Sequence, residues 1–379
     1  MANPRKRKSY LQLAETDIEK LLEGDSPHLI DEWQDAPQIW DAVRYYVDQN
    51  QNPGLILLTG SSVPPDPSLI SHSGTGRISS LTMRPMSLWE SKESSGGVSL
   101  ADLFRGQEFK AASCPDRTLT EVAYLLCRGG WPQAVAQKGD IALDHAFRYY
   151  KAVCNIDISR VDGVRRDPAR VRRLMRSYAR LQGTQSNLSV IKSDIIANDS
   201  ESFDEDTVSS YLEALRKIFV IEDMTAWSPK LRLKSVIRTS DTRYFIDPSI
   251  AAAALRAGPE DLMDDLPTFG LLFETMAVRD LRVYADALYG EVDHYHDASG
   301  LECDAVVHTR NGSYGLVEIK LGGETLIDSG AETLKKLSGR LDTSKMREPS
   351  FLMVLTAVGD FAYRRKDGVI VCPISALKS

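Results

Sequence analysis

Two neighbouring apolar stretches, "LECDAVVH" (301–308) and "YGLVEIKLG" (314–322), constrain this chain most, because each sets charge where a strand should bury hydrocarbon. Side chains alternate along a strand, so Tyr314, Leu316, Glu318 and Lys320 share one face, and Asp304 shares a face with Val306. A carboxylate among apolar residues is costly unless it is paired or bound to a cation. A third carboxylate, Glu274, lies in "TFGLLFETMAVRDLRVYADALYG" on the helix face of Val278 and Leu281, where a core residue is expected. Helix, three strands, helix and the strand "SFLMVLTAV", with a final "GVIVCPISAL", make this segment α/β.

Two carboxylates and the Ile319 carbonyl suit Mg2+, which prefers hard oxygen donors and keeps some of its waters. A lysine beside them would orient the attacking water or neutralise charge building on a phosphoryl group. An aspartate, thirteen residues and then Glu-x-Lys resembles the PD-(D/E)XK nuclease superfamily, and the element order matches that fold. The resemblance implies that Glu274, Asp304 and Glu318 bind metal, and that Glu318 and Lys320 act in cutting phosphodiesters. The plain alternative is an ordinary charged pair on an edge strand. His294 and His296 also share a strand face, but spacing sets no third ligand, so they read as an exposed pair.

A second constellation lies near the N-terminus. In "SPHLIDEWQDAP" a short apolar strand ends in Asp31 and Glu32; the amphipathic "QIWDAVRYYVDQN" and the buried strand "LILLTG" follow. Strand, helix, strand in that order points to a parallel α/β sheet. With "HSGTGRISSLTMRPMSLWES", "GGWPQAV", "RYFIDPSIAAAAL" and "GLECDAVV…GLVEIK", the series closely resembles the bacterial and archaeal AAA-type predicted ATPases whose C-terminal half is a nuclease-like domain of unknown function. That resemblance covers nearly the whole chain. It implies ATP with Mg2+: Asp31 as the Walker B carboxylate on the magnesium side and Glu32 as the activator of water. Thr59 or Ser61 would be the sensor, and Arg77 would reach the γ-phosphate, in a homo-oligomer that of a neighbouring subunit. Taken alone, Asp31 and Glu32 read instead as a pair capping the helix start at "WQDAPQIW".

No GxxxxGK[ST] precedes Asp31, so no backbone amides are set to cradle phosphates and no lysine to meet the β and γ oxygens. A misassigned start codon, a truncated gene and a degenerate domain filled by another segment all account for this. Retention of Asp31, Glu32 and Arg77 favours an incomplete N-terminus, and ATP turnover by the sequence as given is not expected.

Between these regions, "DPARVRRLMRSYARLQG", "SVIKSDIIAN" and "DEDTVSSYLEALRKIF" read as three helices, followed by "VIEDMTAW", the basic hairpin "SPKLRLKSVIRTSDT" and "RYFID". That is the layout of a winged helix. From Arg160 to Arg180 the sequence is dense in arginine, either as a solvated face paired with acidic neighbours or as a DNA-contacting patch carried by Arg165, Arg166, Arg172 and Arg173. The net charge of −7 excludes a chain that coats nucleic acid everywhere.

The expected organisation is an incomplete P-loop AAA-type sheet (1–156), a winged helix (157–258) and a PD-(D/E)XK nuclease-like domain (259–379). No apolar run approaches the ~20 residues of a membrane helix, and five scattered cysteines without a CxxC pair read as reduced thiols of a cytoplasmic protein. Three functions stand open: an ATPase-family protein acting on DNA, a non-catalytic DNA-binding module, and a Mg2+-dependent nuclease.

Overall fold

The computed structural model describes residues 3–50, 52–62, 74–109, 111–199, 203–228 and 240–379, so most of the basic hairpin falls outside the described residues. The chain divides into two compact units. The smaller comprises Met1–Met83, Asn155–Arg166 and Glu213–Phe219; the larger comprises Arg84–Cys154, Asp167–Leu212 and Val220–Ser379.

In the smaller unit the strands His28–Asp31 and Ile56–Thr59 pair in parallel, joined through the helix Ile39–Asn50, as the sequence pattern predicts. Ile30, Ile56 and Leu58 pack with Ile39 and Val43 of that helix and with Ala14 and Leu22 before it. The strand "LILLTG" is not buried throughout. Leu57 is 52% exposed and Leu29 beside it 58%, because among the described residues this two-stranded sheet is covered on one face only.

The larger unit is built on a seven-stranded mixed sheet. Its strand order is Ala112–Ser113, Phe361–Arg364, Ile370–Pro373, Phe351–Thr356, Tyr314–Lys320, Glu302–Thr309 and Gly290–His296. Tyr314–Lys320 runs parallel to Phe351–Thr356 and antiparallel to Glu302–Thr309, so it is an interior strand and not the edge strand of the plain alternative. The helix Glu324–Arg340 covers the face of Tyr314 and Leu316 through Ala331, Leu334 and Leu337.

The helices Pro168–Arg180, Leu188–Asp199 and Glu205–Lys217 form where the sequence places them. Asp167 starts the first by accepting a hydrogen bond from the Ala169 N–H, with Pro168 in the first turn where a missing donor costs nothing. Among the described residues the expected strands "VIEDMTAW" and "RYFID" form no ladder; they meet through the bridge of Ile221 with Phe245 and through single backbone hydrogen bonds such as Glu222 N–H to the Tyr244 carbonyl, and Met224 bridges Thr242 just before the second.

The helix Leu266–Asp286 is buried on nearly every side, which its mostly apolar sequence allows. Two of its charged residues, Arg279 and Asp280, are fully enclosed and form the centre of an ionic hub. The Arg279 guanidinium lies 2.8 Å from Asp247 and 2.7 Å from Asp280. Asp247 also accepts from the Gly130 N–H at 3.0 Å and the Ser249 hydroxyl at 2.6 Å, and Asp280 from the Leu88 N–H at 2.9 Å. Four distant segments meet here, and the glycines of "GGWP" are the reason they can. A Cβ on Gly130 would stand 2.2 Å from the Met86 carbonyl oxygen. Among the described residues no helix is long and apolar enough to cross a membrane, and Cys127, Cys154, Cys303 and Cys372 are free and buried.

Candidate functional site

The sheet of the larger unit brings the predicted acidic residues together. Ladder pairing places Ala305 opposite Val317, so Asp304 and Glu318 reach the same end of adjacent strands. The Lys320 ammonium sits between them, 3.1 Å from Asp304 and 2.7 Å from Glu318. Asp304 is further fixed by the Ile319 N–H at 2.6 Å. Glu318 is 4% exposed, whereas Asp304, Lys320 and Glu274 are partly open to solvent.

Burial pushes the Glu318 carboxyl up to about 8, and the charge of Asp304 adds to the push. Glu274 is likewise pushed up to about 8, first by the protein crowding its carboxylate and then by Asp304. Burial works against the charge on Lys320, but Asp304 and Glu318 override it and hold the ammonium above its ordinary range.

Two further residues, both missed in the sequence, close on Glu274. The buried Tyr244 donates its hydroxyl to Glu274 Oε1. Its own ionisation is pushed far up by burial and by the Glu274 charge, so it stays a donor. Gly183, at φ +66°, lies so close that a Cβ there would be 3.2 Å from both carboxylate oxygens. No sequence spacing signals either contact, since Tyr244 and Glu274 are thirty residues apart.

The donor set is oxygen only, and like charges are forced together in partly dry surroundings, a strain that a hard divalent cation relieves. Among the described residues, however, no group of three or more His, Cys, Asp or Glu side chains is arranged as a metal cage. The fit is to a cation held by one or two carboxylates with water completing its shell.

The histidine pair is not exposed. His294 is 3% exposed and occupies an irregularity in the pairing of Gly290–His296 with Glu302–Thr309. Its backbone pairs instead with Thr225 and Trp227, which close over it. Gln185 bridges the pair, with its Nε2 3.2 Å from His294 Nδ1 and its Oε1 2.8 Å from His296 Nδ1. Burial lowers His294 to about 4. Its charged form is disfavoured in the fold, so the stability linked to it is present above the unfolded value of about 6.5 and is lost as pH falls towards 4. Between pH 7 and pH 5 the loss is expected to be about 2 kcal/mol. Melting curves of the wild type and His294→Gln across that range check it: the variant's acid slope should be shallower by that amount.

In the smaller unit, Asp31 pairs directly with Thr59 across the parallel ladder, and the Thr59 hydroxyl donates to Asp31 Oδ1 at 2.7 Å. Glu32 turns into the left-handed region at φ 56° directly before the short 3-10 helix Trp33–Asp35, and its side chain accepts no backbone N–H of that helix. Its carboxylate accepts from the Ser61 hydroxyl at 3.1 Å and from Gln34, a buried residue that sequence reasoning missed. Asp31, Glu32, Thr59 and Ser61 therefore gather at one strand end. Arg77 is engaged elsewhere, 2.7 Å from Asp48 on the helix Ile39–Asn50.

The four arginines of the basic run differ in surroundings. Arg166 is 4% exposed, with its guanidinium 2.7 Å from Asp162 and bonded to the Ile158 carbonyl, so it holds structure and offers nothing to a phosphate. Arg165 is exposed, and Arg172 and Arg173 are partly so. The helix charge is also drawn inward at Arg180, which forms an ion pair with Asp194 at 2.5 Å.

The strand-end carboxylates Asp31 and Glu32 lie in a segment that family comparison matches to an AAA domain, and the second acidic cluster lies in a separately matched segment. Residues 2–92 match an AAA domain, residues 119–261 a Domain of unknown function (DUF8612), and residues 269–377 a Domain of unknown function (DUF4143). No curated protein and no solved structure matches the chain.

Proposed function

We propose that this AAA-type chain carries a divalent-cation-dependent, nuclease-like site at Asp304, Glu318 and Lys320 that acts on DNA phosphodiesters. The observation that carries the reading is the Lys320 ammonium clasped between two carboxylates on an interior strand. An interior position makes a merely decorative ion pair expensive, since desolvation opposes it.

Asp304 and Glu318 would hold Mg2+, with the Ile319 carbonyl as a further oxygen donor and water completing the shell. Bound there, the cation supplies charge neutralisation at the phosphate and a more acidic water. Lys320 contributes a fixed positive charge beside the non-bridging oxygens, where negative charge grows as the phosphoryl centre is attacked. Glu318, itself largely shielded from solvent, orients both the lysine and the cation.

Residues 157–258 would present the DNA as a winged helix, supported by three successive helices and the open guanidinium of Arg165, with Arg172 and Arg173 beside it in sequence. The division into 1–156, 157–258 and 259–379 belongs to this proposal. The N-terminal residues Asp31, Glu32, Thr59 and Ser61 fit the magnesium side of a nucleotide, in keeping with the AAA match. No GxxxxGK[ST] precedes Asp31 in the sequence given, and the proposal does not extend to ATP hydrolysis.

The test is nicking of supercoiled DNA with Mg2+ or Mn2+. Asp304→Ala and Lys320→Ala are each expected to lower the rate by about 10²–10³. Cation-independent or variant-insensitive cleavage counts against the site. Absent cleavage, with salt-sensitive DNA binding that Arg172→Glu and Arg173→Glu weaken, favours instead the non-catalytic DNA-binding module.

A further inference from the structure

We infer that Gln185, His294 and His296 form an acid-sensitive latch, which holds the segment 225–227 on the sheet's edge strand Gly290–His296 while His294 is uncharged and releases it when His294 takes a second proton. The latch is independent of the cation site. The His294 N–H donates to the Thr225 carbonyl at 3.0 Å, the Trp227 N–H donates to the His294 carbonyl at 2.6 Å, and Ala226 bridges His294 in parallel. Both of these backbone hydrogen bonds fall on one buried residue. The Trp227 ring then lies 4.9 Å from the Tyr314 ring and 6.3 Å from that of Tyr295. Release leaves the N–H and carbonyl of His294 unpaired on a sheet edge, where another strand can add.

The side chains specify the proton state. An amide nitrogen only donates, so His294 Nδ1, 3.2 Å from Gln185 Nε2, is bare, and the proton of the neutral ring sits on Nε2. An amide oxygen only accepts, so His296 Nδ1, 2.8 Å from Gln185 Oε1, carries a hydrogen. His296 can take a second proton undisturbed, because its Nε2 lies 3.3 Å from Glu302 Oε1. His294 cannot. A proton on its Nδ1 would meet the Gln185 NH2, and reversing the amide would set that NH2 against the Nδ1 hydrogen of a charged His296. Other ionisable groups offer no rescue. Asp293 is engaged by His308 at 2.8 Å and by the Thr225 hydroxyl, and residues 182–186 and 224–227 contain no ionisable side chain. Burial holds His294 down at about 4, whereas an imidazole freed to water returns to about 6.5. Acid therefore favours the released segment.

The experiment is hydrogen exchange of the full chain, read by mass spectrometry at pH 7 and pH 5 with rates corrected for the intrinsic effect of pH. Peptides carrying the Trp227 and His294 amides should lose protection about twentyfold between these pH values, the ratio set by about 4 for the closed state and about 6.5 for the open one. They should also exchange well ahead of the Phe351–Thr356 amides, which separates local release from global unfolding. His294→Gln, which has no ring to charge, should keep the same protection at both pH values. Nitrogen-15 NMR of the wild-type histidines gives a reading that needs no variant: at pH 7 His294 should show a bare Nδ1 and His296 a protonated one. Any of four results overturns the latch. These are protection at Trp227 and His294 that does not fall in acid, exchange there only in step with Phe351–Thr356, an undiminished fall in His294→Gln, and a hydrogen on His294 Nδ1 at pH 7.

Discussion

Replacing Arg279 by alanine is expected to lower the unfolding free energy of the larger unit by about 3–5 kcal/mol, the range for breaking a buried ion pair. The guanidinium is 2% exposed and Asp247 and Asp280 are fully buried, so neither carboxylate can turn to water when it is removed. Burial opposes the charge on Arg279, and the adjoining Asp280 and Asp247 more than offset it. Once the arginine is gone, two like charges remain in a dry space while still tied to the Gly130 and Leu88 amides. Arg279→Met should fare little better, since the loss lies in the unpaired acids and not in the packing. Adding Asp247→Asn and Asp280→Asn to Arg279→Met should recover part of the loss. Urea unfolding of the three variants, followed by circular dichroism, measures this.

Lys320→Met is expected to show a loss of about 2–3 kcal/mol near pH 10 that shrinks on acidification through pH 8. The figure stays below that for a fully buried pair because the lysine side chain retains 23% exposure. The sign follows from Glu318, whose folded-state value is raised. Its stability contribution is full below the unfolded value of about 4.3 and is lost as pH rises through about 8. Without the lysine that carboxyl is pushed higher still, so the variant falls away from the wild type as pH rises through about 8 and beyond, where only the wild-type carboxyl ionises. At pH 5 Glu318 is protonated in both proteins, and the gap should be at its narrowest. A pH-independent gap between the two melting profiles would remove Glu318 as the lysine's partner.

Local chemistry was readable without coordinates. Strand alternation put Glu318 and Lys320 on one face, and the structure joins them at 2.7 Å. The aspartate–proline start located Pro168–Arg180, and the strand–helix–strand pattern located the parallel pair ending in Asp31 and Thr59. What escaped depends on partners far away in sequence. Arg166 looked like a surface charge because its ion pair with Asp162 removes it from solvent only once the chain folds. His294 looked exposed because nothing in its own strand announces Thr225 and Trp227. Leu57 looked buried because a continuous apolar run does not say how many of its faces are covered. Tyr244 offered no signal at all.

The helix Leu266–Asp286 carries both Glu274 and, five residues on, the Arg279–Asp280 hub. At a rise of 1.5 Å per residue these lie about 7.5 Å apart along one stiff rod. The rod gives the two ends unequal fates under mutation. Exchanging Glu274 leaves the hub intact and the architecture with it. The reverse does not hold: a lesion in the hub unseats the rod and displaces Glu274 along with it. Whatever the acidic cluster does, its geometry is therefore only as durable as the buried arginine five residues away.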